Sequence, residues 1–559
     1  MMKRAVLILL SITFFTKLAM AQAPNILFNR ALGGTNYDAA VCISKTNDGG
    51  YVIAGITYSN DGDLLNSGLH GWQSDCMVMK FSAGGILQWT KAYGGFAGEL
   101  FNAIQQTNDG GYIAVGTTSS SDGDVTTGPG GWLVKMDSDG TIQWQARAGT
   151  TGNAVTQTTD GGYLVGGDYH LTKFNSVGIQ EWIYTTQQHI IRSLCQTTEG
   201  SYVATGEAST LRGLDFRVVK LSSNGTLLWE NDYGGFGDDN PNVIRQTSDG
   251  GYIVAGSTTT RNDGNVTGHH GQNDFWIVKL NSNFEIEWTR ALGGTLNDFA
   301  YDAVQTNDGG YMIIGETYST DGDLTRNDDG GYADGWIVKL NSSGSLLWQK
   351  SLGGTDHDHF RGIIQNADGS YLITGFTMSA DGGVSGFHTN PSGNTVPDAW
   401  LVKLAAEGVL PITFGNIEAS IKNNVLTVNW TSITEINNDY YLIETSTDGK
   451  TFTSVSDKIF SKANNGNSSV VLPYSFSKNL PIHGLAWLPL CIIIGIKRPK
   501  QLRTLALLAM TGCCLLIFSC KKNIDSLINN ENQKLYIRLV QIDKDGHKAY
   551  SKIIIANHK

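Results

Sequence analysis

The sequence predicts a mainly β protein: a seven-bladed β-propeller closed by its N-terminal strand, followed by a β-sandwich that an apolar helical hairpin interrupts. Two observations predict the propeller: a tyrosine motif recurs seven times, and each copy contains four short β-type runs. A third observation predicts the sandwich, because the repeat ends near Leu404 and a different strand pattern follows, with two apolar runs inside it.

The repeated motif is exemplified by QTNDGGYIAVG around Tyr112. The motif's tyrosines are Tyr51, Tyr112, Tyr163, Tyr202, Tyr252, Tyr311 and Tyr371. In the second copy the four runs are FNAIQQT, GYIAVGTTS, GWLVKMD and TIQWQARAG, and Asp-Gly turns separate them. Four-stranded units at such spacing are typical of propeller blades. One tryptophan in each fourth run is expected to pack between blades, namely Trp89, Trp144, Trp182, Trp229, Trp288 and Trp348.

The seventh copy ends at DAWLVKL and has no tryptophan run of its own. Residues 26–38, ILFNRALGGTNYD, match residues 346–358, LLWQKSLGGTDHD, with Phe28 in the place of Trp348. We therefore predict that the N-terminal strand completes the seventh blade and closes the ring, which removes the unpaired edges of an open array. The predicted propeller covers residues 22–405.

Composition and the N-terminus limit the possible functions. The net charge of −11 argues against nucleic acid as a partner, because no basic surface is available to neutralise phosphates. The seven cysteines are too scattered for a disulfide framework. Residues 1–21 have the pattern of a secretory signal peptide: Lys3 and Arg4, an apolar stretch, and AMA before Gln22. We expect the protein to be exported.

The variable loops of the repeats should lie at one end of the propeller, because an up-and-down blade sends its second-to-third loop and its crossing to the next blade in the same direction. These segments are acidic, and repeats three and four lack the long loop, so the face is lopsided. We expect a protein or a glycan to bind this face. Its candidate residues are Asp61, Asp63, Asp122, Asp124, Asp263, Asp321, Asp323 and Asp381 in the loops, and Asp38, Asp298 and Asp358 in the crossings.

The Asp-Gly-Asp loops allow two interpretations. Ca²⁺ prefers several carboxylate and carbonyl oxygens from a flexible loop. Tight turns also need Asp and Gly, and no copy has the full spacing of a calcium loop with a distal glutamate. We favour turn chemistry and expect no cofactor, with Ca²⁺ as the alternative. The histidines of DHDH at residues 356–359 are interpreted as a variant of the crossing rather than as a transition-metal site.

No catalytic constellation emerges from the sequence. The segment DSDGTIQWQARAG is similar to the tryptophan-docking repeat of pyrroloquinoline-quinone dehydrogenases. Those enzymes usually combine that repeat with eight blades and a vicinal disulfide, whereas the only adjacent cysteines here, Cys513 and Cys514, lie in an apolar run. We expect a non-enzymatic binding scaffold. The alternative is a hydrolase or lyase that acts on polysaccharide at the same face.

The chain after the propeller predicts an interrupted sandwich. Residues 410–478 contain short strand runs with Trp430 as a candidate core residue, and residues 534–559 contain LYIRLVQIDKDGHKAYSKIII. This pattern resembles the fibronectin type III-like module that follows repeat domains in secreted and envelope proteins of Bacteroidetes-type bacteria. The resemblance implies that residues 534–559 supply the last two strands of the sandwich.

Residues 479–533 separate the two parts of this module. Apolar runs at residues 480–496 and 504–520 are joined by KRPKQLR, which predicts a transmembrane hairpin with its basic loop in the cytoplasm. The hairpin would anchor the protein in the inner membrane, facing the periplasm. LLIFSCKK also resembles a lipoprotein box with Cys520 as the lipid acceptor, so a lipoprotein or a secreted protein is the alternative. A third possibility is an apolar insertion without function.

Overall fold

The structure is a computed structural model that describes residues 23–324, 332–407, 414–433, 435, 438–463, 468, 471–480, 534–543 and 548–558. Contacts divide the chain into two compact units, Met1–Glu407 and Gly408–Lys559. The predicted signal peptide, nearly all of the apolar segment and Cys520 lie outside the described residues.

The first unit is mainly β and consists of antiparallel sheets, most of them four-stranded, as expected for a propeller-like repeat. Four sheets each hold one repeat in chain order. Their strands are β2 (Asp38–Lys45), β3 (Tyr51–Thr57), β4 (Asp75–Phe81) and β5 (Leu87–Tyr93); β6 (Glu99–Gln106), β7 (Tyr112–Thr118), β8 (Gly130–Met136) and β9 (Ile142–Arg147); β16 (Asp239–Gln246), β17 (Tyr252–Thr258), β18 (Asp274–Leu280) and β19 (Ile286–Leu292); and β20 (Asp298–Gln305), β21 (Tyr311–Thr317), β22 (Asp334–Leu340) and β23 (Leu346–Leu352). A 3-10 turn covers Gly62–Leu64.

Repeats three and four share one six-stranded sheet. Its strands are β10 (Ala154–Gln157), β11 (Tyr163–Phe174), β12 (Gln180–Gln196), β13 (Tyr202–Thr210), β14 (Gly213–Leu221) and β15 (Leu227–Tyr233). The fourth strand of repeat three continues into the first strand of repeat four as β12, because TTQQHIIR replaces the glycine-containing crossing found in the other repeats and offers no glycine for a turn. The sequence analysis did not anticipate this fusion.

The N-terminal strand pairs with the seventh repeat. The last sheet of the first unit has the order β1-β26-β25-β24, with β1 (Ile26–Leu32), β24 (Asp358–Gln365), β25 (Tyr371–Thr377) and β26 (Asp398–Leu404). Phe28 lies opposite Lys403, as Trp348 lies opposite Lys339 within repeat six. β1 therefore occupies the register of a fourth strand.

Aromatic side chains connect neighbouring repeats, as predicted from the tryptophan of each fourth run. The ring centroids of Trp89 and Tyr112 are 5.8 Å apart, and those of Trp288 and Tyr311 are 5.6 Å apart. In each pair the tryptophan belongs to one repeat and the tyrosine to the next. The second and third strands of a repeat, such as β3 and β4, are almost wholly buried, which agrees with their continuous apolar sequence.

The second unit contains two sheets. The first has the order β32-β28-β27-β36, and in the second β29 pairs with β30, β31 and β33, which in turn pairs with β34 and β35. The strands are β27 (Phe414–Lys422), β28 (Val425–Ser432), β29 (Asn438–Ser446), β30 (Thr453–Ser454), β31 (Ile459–Phe460), β32 (Leu472–Asn479), β33 (Tyr536–Asp543), β34 (Lys548–Tyr550), β35 (Ile554–Ile555) and β36 (Asn557–His558).

Strands from both sides of the apolar segment lie in one sheet of the second unit. Ile443 of β29 is paired with Leu539 of β33, so residues 481–533 interrupt the module in sequence but not in its hydrogen bonding. Trp430 is buried and stacks on Tyr474, with 5.2 Å between the ring centroids. Across the described ranges, no helix has the length and apolarity that a membrane crossing requires.

Candidate functional site

The Asp-Gly-Asp loops fold back on the crossing that enters the same repeat. Oδ1 of Asp61 accepts a hydrogen bond of 2.8 Å from the backbone N–H of Thr35, and Oδ2 of Asp63 accepts one of 3.3 Å from Gly33. Gly62 has φ +57°, and a Cβ there would lie 2.3 Å from the Gly33 carbonyl oxygen, so the middle position requires glycine. The Asp61 contact recurs at Asp122 with Phe96, Asp263 with Phe236, Asp321 with Thr295, and Asp381 with Thr355.

The second aspartate of the loop repeats its contact in two further copies. Asp124 accepts from the Gly94 N–H at 3.3 Å, and Asp323 accepts from Gly293 at 3.2 Å. Burial raises the pKa of Asp323 above its ordinary value. The acidic loops are thus clamps that fix the crossings, and their carboxylates are partly engaged inside the protein.

The crossing aspartates are buried rather than presented to solvent. Asp38 is 0% exposed and accepts hydrogen bonds from the Thr57 hydroxyl (2.5 Å) and the Gly34 N–H (2.8 Å). Asp298 and Asp358 make the equivalent contacts in repeats six and seven. Burial raises the pKa of Asp38 and of Asp298 to about 6, and it raises that of Asp358.

In five repeats the buried acid that opens the first strand is close to a third-strand aspartate of the preceding repeat. A Cβ on Gly94 would lie 2.6 Å from Oδ1 of Asp75 and 2.6 Å from Oε2 of Glu99, so the two oxygens are separated by at most twice that distance. We call this arrangement a carboxyl pair. The other pairs are Asp398 with Asp38, Asp215 with Asp239, Asp274 with Asp298, and Asp334 with Asp358.

The sequence analysis did not identify the third-strand members of these pairs. Three of them lie two positions before a buried tryptophan, which is a recognisable signal. Burial, with the charge of Glu99 adding to it, raises the pKa of Asp75 to about 6, and burial raises that of Asp398 to about 7. Within the described residues, Oδ1 has no hydrogen-bond partner in Asp75, Asp215, Asp274 and Asp398. These aspartates therefore titrate closer to neutral pH than exposed aspartates do.

Metal binding gains no geometric support from these carboxylates. The residues that the structure describes contain no group of three or more His, Cys, Asp or Glu placed to hold a metal ion. In each loop aspartate named above, one carboxylate oxygen already accepts a hydrogen bond from a backbone N–H group. Ca²⁺ at the loops stays an untested alternative.

A second polar constellation lies on the first strands of repeats six and seven. The guanidinium carbon of Arg361 is 3.7 Å from the ring centroid of Tyr301, whose hydroxyl donates a hydrogen bond of 2.6 Å to Oε1 of Glu316. Oε2 of Glu316 contacts Nδ1 of His359. The His359 ring stacks on Phe376 with 4.3 Å between centroids.

The charge state of this constellation follows from its burial. Burial and, secondarily, the positive charge of Arg361 lower the pKa of His359 to about 3, so the imidazole is neutral at pH 7. Burial raises the pKa of Tyr301. Both rings are thus uncharged polar groups beside a permanent guanidinium.

A pocket with two tyrosines lies between the crossing into repeat one and the end of β3. It has a volume of about 450 Å³ and is lined by Asn36, Tyr37, Ile56 and Tyr58. The tyrosine rings meet edge to face at 5.9 Å, and each is a little over one third exposed. Burial raises the pKa of Tyr37, and the positive charge of Arg361 opposes that rise.

We call Tyr37, Tyr58, Tyr301, Glu316, His359 and Arg361 the arginine cluster. Of the residues predicted from sequence, Asp38 and Asp358 are chain neighbours of two cluster members, Tyr37 and His359. The cluster could have been identified from positions at which a single copy deviates from the repeat. One example is Asn-Tyr in place of Asp-His in the crossing.

Further aromatic side chains are exposed on loops and crossings of the first unit. Trp72, in the loop before β4, is 96% exposed, and Phe96 and Phe236, in the crossings of repeats two and five, are about 70% exposed. Exposed aromatic rings beside polar groups are typical of surfaces that bind other molecules.

No family model matches the chain, and no curated protein matches it. It is similar to a crystallised protein of unknown function from Bacteroides caccae, with 12% identity and a TM-score of 0.33 over 50% of this chain and 87% of that chain. It is also similar to BBS1N, crystallised in complex with ARL6DN and soaked with lead, with 10% identity and a TM-score of 0.39 over 70% of this chain and 98% of that chain.

Proposed function

We propose that the first unit is a closed seven-bladed β-propeller, with β1 as the outer strand of the seventh blade. The register of β1 on β26 supports this proposal. So does the contact between the first and last repeats, because Ile53 and Met77 share one apolar core with Leu372 and Leu401. Seven four-stranded units account for the strands if β11 and β12 each serve two positions.

We infer that this propeller is a non-enzymatic scaffold that binds a glycan at its loop end. The observation that carries the inference is the pair of partly exposed tyrosines, Tyr37 and Tyr58, in a pocket whose volume is in the range of small-ligand sites. Tyrosine rings offer a flat apolar surface with a polar edge, which suits a sugar ring and its hydroxyls. The loop aspartates contribute rigidity by clamping the crossing that carries Tyr37.

Binding of the full chain to an array of polysaccharides tests this function. Replacing both tyrosines (Tyr37→Ala with Tyr58→Ala) should abolish binding, because it removes the walls of the pocket. Phe236→Ala is the control, since it removes an even more exposed aromatic ring from a different repeat and should leave binding intact. A scaffold that captures a protein but no glycan would contradict the inference.

The alternative function, a polysaccharide hydrolase or lyase, makes a different prediction for the same samples. Incubation would release shortened or unsaturated products, which mass analysis detects. A binding scaffold returns the polysaccharide unchanged.

We also propose that the protein is exported and anchored in the cell envelope. The support is the sequence pattern of residues 1–21 and of residues 480–520. Fractionation with an intact-mass measurement distinguishes an inner-membrane hairpin, a lipid on Cys520 and a secreted form. Recovery of the unprocessed chain from the cytoplasm would contradict export.

A further inference from the structure

The position of Tyr37 in the tyrosine pocket has an aromatic counterpart in the adjoining repeat. The backbone N–H of Tyr58 donates a hydrogen bond of 2.9 Å to the carbonyl of Tyr37, and in repeat seven Met378 donates the same bond to His357. His357 therefore stands at the position of Tyr37. Of the five crossings that contain Gly-Gly, these two have an aromatic ring at this position. The other three have Gly98, Asp238 and Asn297.

Aromatic side chains of repeat six contact His357. Its ring centroid is 4.8 Å from that of Tyr332 and 6.0 Å from that of Tyr318, and both contacts are edge to face. Tyr332 is almost half exposed, and Tyr318 and His357 are partly exposed. Edge-to-face contacts at these distances hold aromatic rings in a preferred orientation. We call Tyr318, Tyr332 and His357 the histidine platform, an ordered aromatic surface that solvent reaches.

A short segment of repeat seven contacts the crossings of both sites. The Thr395 hydroxyl donates a hydrogen bond of 3.4 Å to Oδ2 of Asp356, the chain neighbour of the platform histidine. Two residues later, the carbonyl of Pro397 accepts a hydrogen bond of 2.7 Å from the N–H of Asp38, which follows Tyr37. The Cα atoms of Thr395 and Pro397 are at most about 7 Å apart, because an extended chain rises no further over two residues. The platform and the tyrosine pocket are thus neighbouring sites.

One ligand chemistry suits both sites. A sugar ring has C–H groups on its faces and hydroxyls at its edge, so it packs on an aromatic ring and pairs with polar groups beside that ring. In a polysaccharide such rings follow one another along the chain. One unit can therefore lie in the pocket of Tyr37 and Tyr58 while another lies on the histidine platform. A single sugar can occupy only one of the two sites.

We propose that the histidine platform is a second sugar-binding subsite, and that the ligand is a chain of several sugar units that lies across repeats seven and one. This proposal rests on the proposed glycan-binding function. It names the form of the glycan, a chain that contacts two subsites rather than a single sugar.

Binding of oligosaccharides of increasing length to the full chain tests the proposal. The probes are cello-, xylo-, manno- and galacturono-oligosaccharides, each with two, four and six units. In a series that binds, we expect the hexamer to bind at least about tenfold more tightly than the dimer, because the second contact becomes intramolecular once the first is made.

Variants that copy other repeats separate the platform from the pocket. Tyr332→Gln introduces the residue found at the equivalent positions 73 and 272, and His357→Asn introduces the one found at position 297. We expect this double variant to lose most of the gain with length and to bind the dimer as the parent does. Phe96→Thr is the matched control, because it replaces an exposed ring in the crossing of repeat two by the residue found at position 35. It should keep the full gain.

The outcomes separate this inference from the function on which it rests. Equal affinity for all lengths, or a gain with length that the double variant keeps in full, would overturn the second subsite and leave glycan binding intact. Absence of binding in every series would overturn both. A thermal melt of the double variant, expected to match the parent, excludes misfolding as the cause of a loss. If the double variant melts lower, the two single variants provide the same comparison.

Discussion

The indole Nε1 of Trp400 donates a hydrogen bond of 2.6 Å to Oδ1 of Asn29, a residue 371 positions earlier in the chain. Trp336 makes the corresponding bond to Gln349 within a single repeat, at 3.0 Å. The N-terminal strand thus supplies the seventh repeat with the same polar contact that a local fourth strand supplies elsewhere.

Removal of this strand should destabilise the whole first unit. Deleting residues 23–32 exposes the edge of β26 and leaves the buried Trp400 N–H without its acceptor. We expect the thermal transition of the first unit to fall sharply or to disappear, as followed by circular dichroism. Asn29→Gln, which introduces the residue found at position 349, should retain the transition. An unchanged melt of the deletion variant would contradict ring closure.

The carboxyl pairs should make the protein more stable in mild acid than above neutral pH. The pKa of Asp38, Asp75 and Asp298 is about 6 and that of Asp398 about 7 in the folded protein, whereas unfolded aspartates titrate near 3.8. Between these values the folded state binds more protons than the unfolded state. The contribution is therefore complete below about pH 4 and is lost as pH rises through 6 to 7.

Melting temperatures measured from pH 5 to pH 8 test this dependence. We expect a fall across the interval, and we expect Asp398→Asn to reduce it, because the amide cannot ionise. Below pH 4 we expect the melting temperature to fall as the pH is lowered, because a second set of aspartates becomes protonated. Three turn aspartates, Asp48, Asp160 and Asp249, contact Lys80, Lys173 and Lys279, respectively. Their pKa is lowered to about 2. A melting temperature that is constant or rises from pH 5 to pH 8 would contradict the role of the pairs.

The repeat architecture was predictable because it rests on side chains with a strong pattern. Strands such as β3 and β4 are buried on both faces, so their sequence is continuously apolar and recurs with each tyrosine. The aromatic contact of Trp89 with Tyr112 follows from the same periodicity. The fusion of repeats three and four was less predictable, since it depends on glycines that are missing rather than on residues that are present.

The candidate site was predicted less well than the fold. Composition identified the loop aspartates, but it could not tell whether a carboxylate such as Asp61 faces a ligand or a backbone N–H of its own chain. Asp38 shows the same difficulty, because its burial depends on the tertiary contact with the preceding repeat, which supplies Asp398. Arg192 and Arg361 share one strand position in two copies, so the repeat pattern does not predict the surroundings of either side chain.

The first glycine of the crossing should tolerate no side chain. A Cβ on Gly94 would lie 2.6 Å from the oxygens of both Asp75 and Glu99, and these side chains are fixed by their own contacts. We expect Gly94→Ala to destabilise the first unit by about 1–3 kcal/mol or more in chemical denaturation, as for overpacking. Gly84→Ala is the control, because its nearest neighbour would be the Ser82 hydroxyl at 3.9 Å. Equal stability of the two variants would contradict a close approach of the carboxyl pair to the crossing.

Loss of a loop clamp should act on stability without involving calcium. Asp61→Ala removes the acceptor for the Thr35 N–H and hydroxyl, and we expect a loss of about 1–3 kcal/mol in the free energy of unfolding. Melting with excess Ca²⁺ and with a chelator should give the same temperature for the parent, because backbone donors satisfy the loop carboxylates. Asp139→Ala is the control, because its turn lies at the opposite end of β9 from the crossing. A calcium-dependent rise that Asp61→Ala abolishes would instead assign the loop to Ca²⁺, since a ligand that binds only the folded state stabilises it.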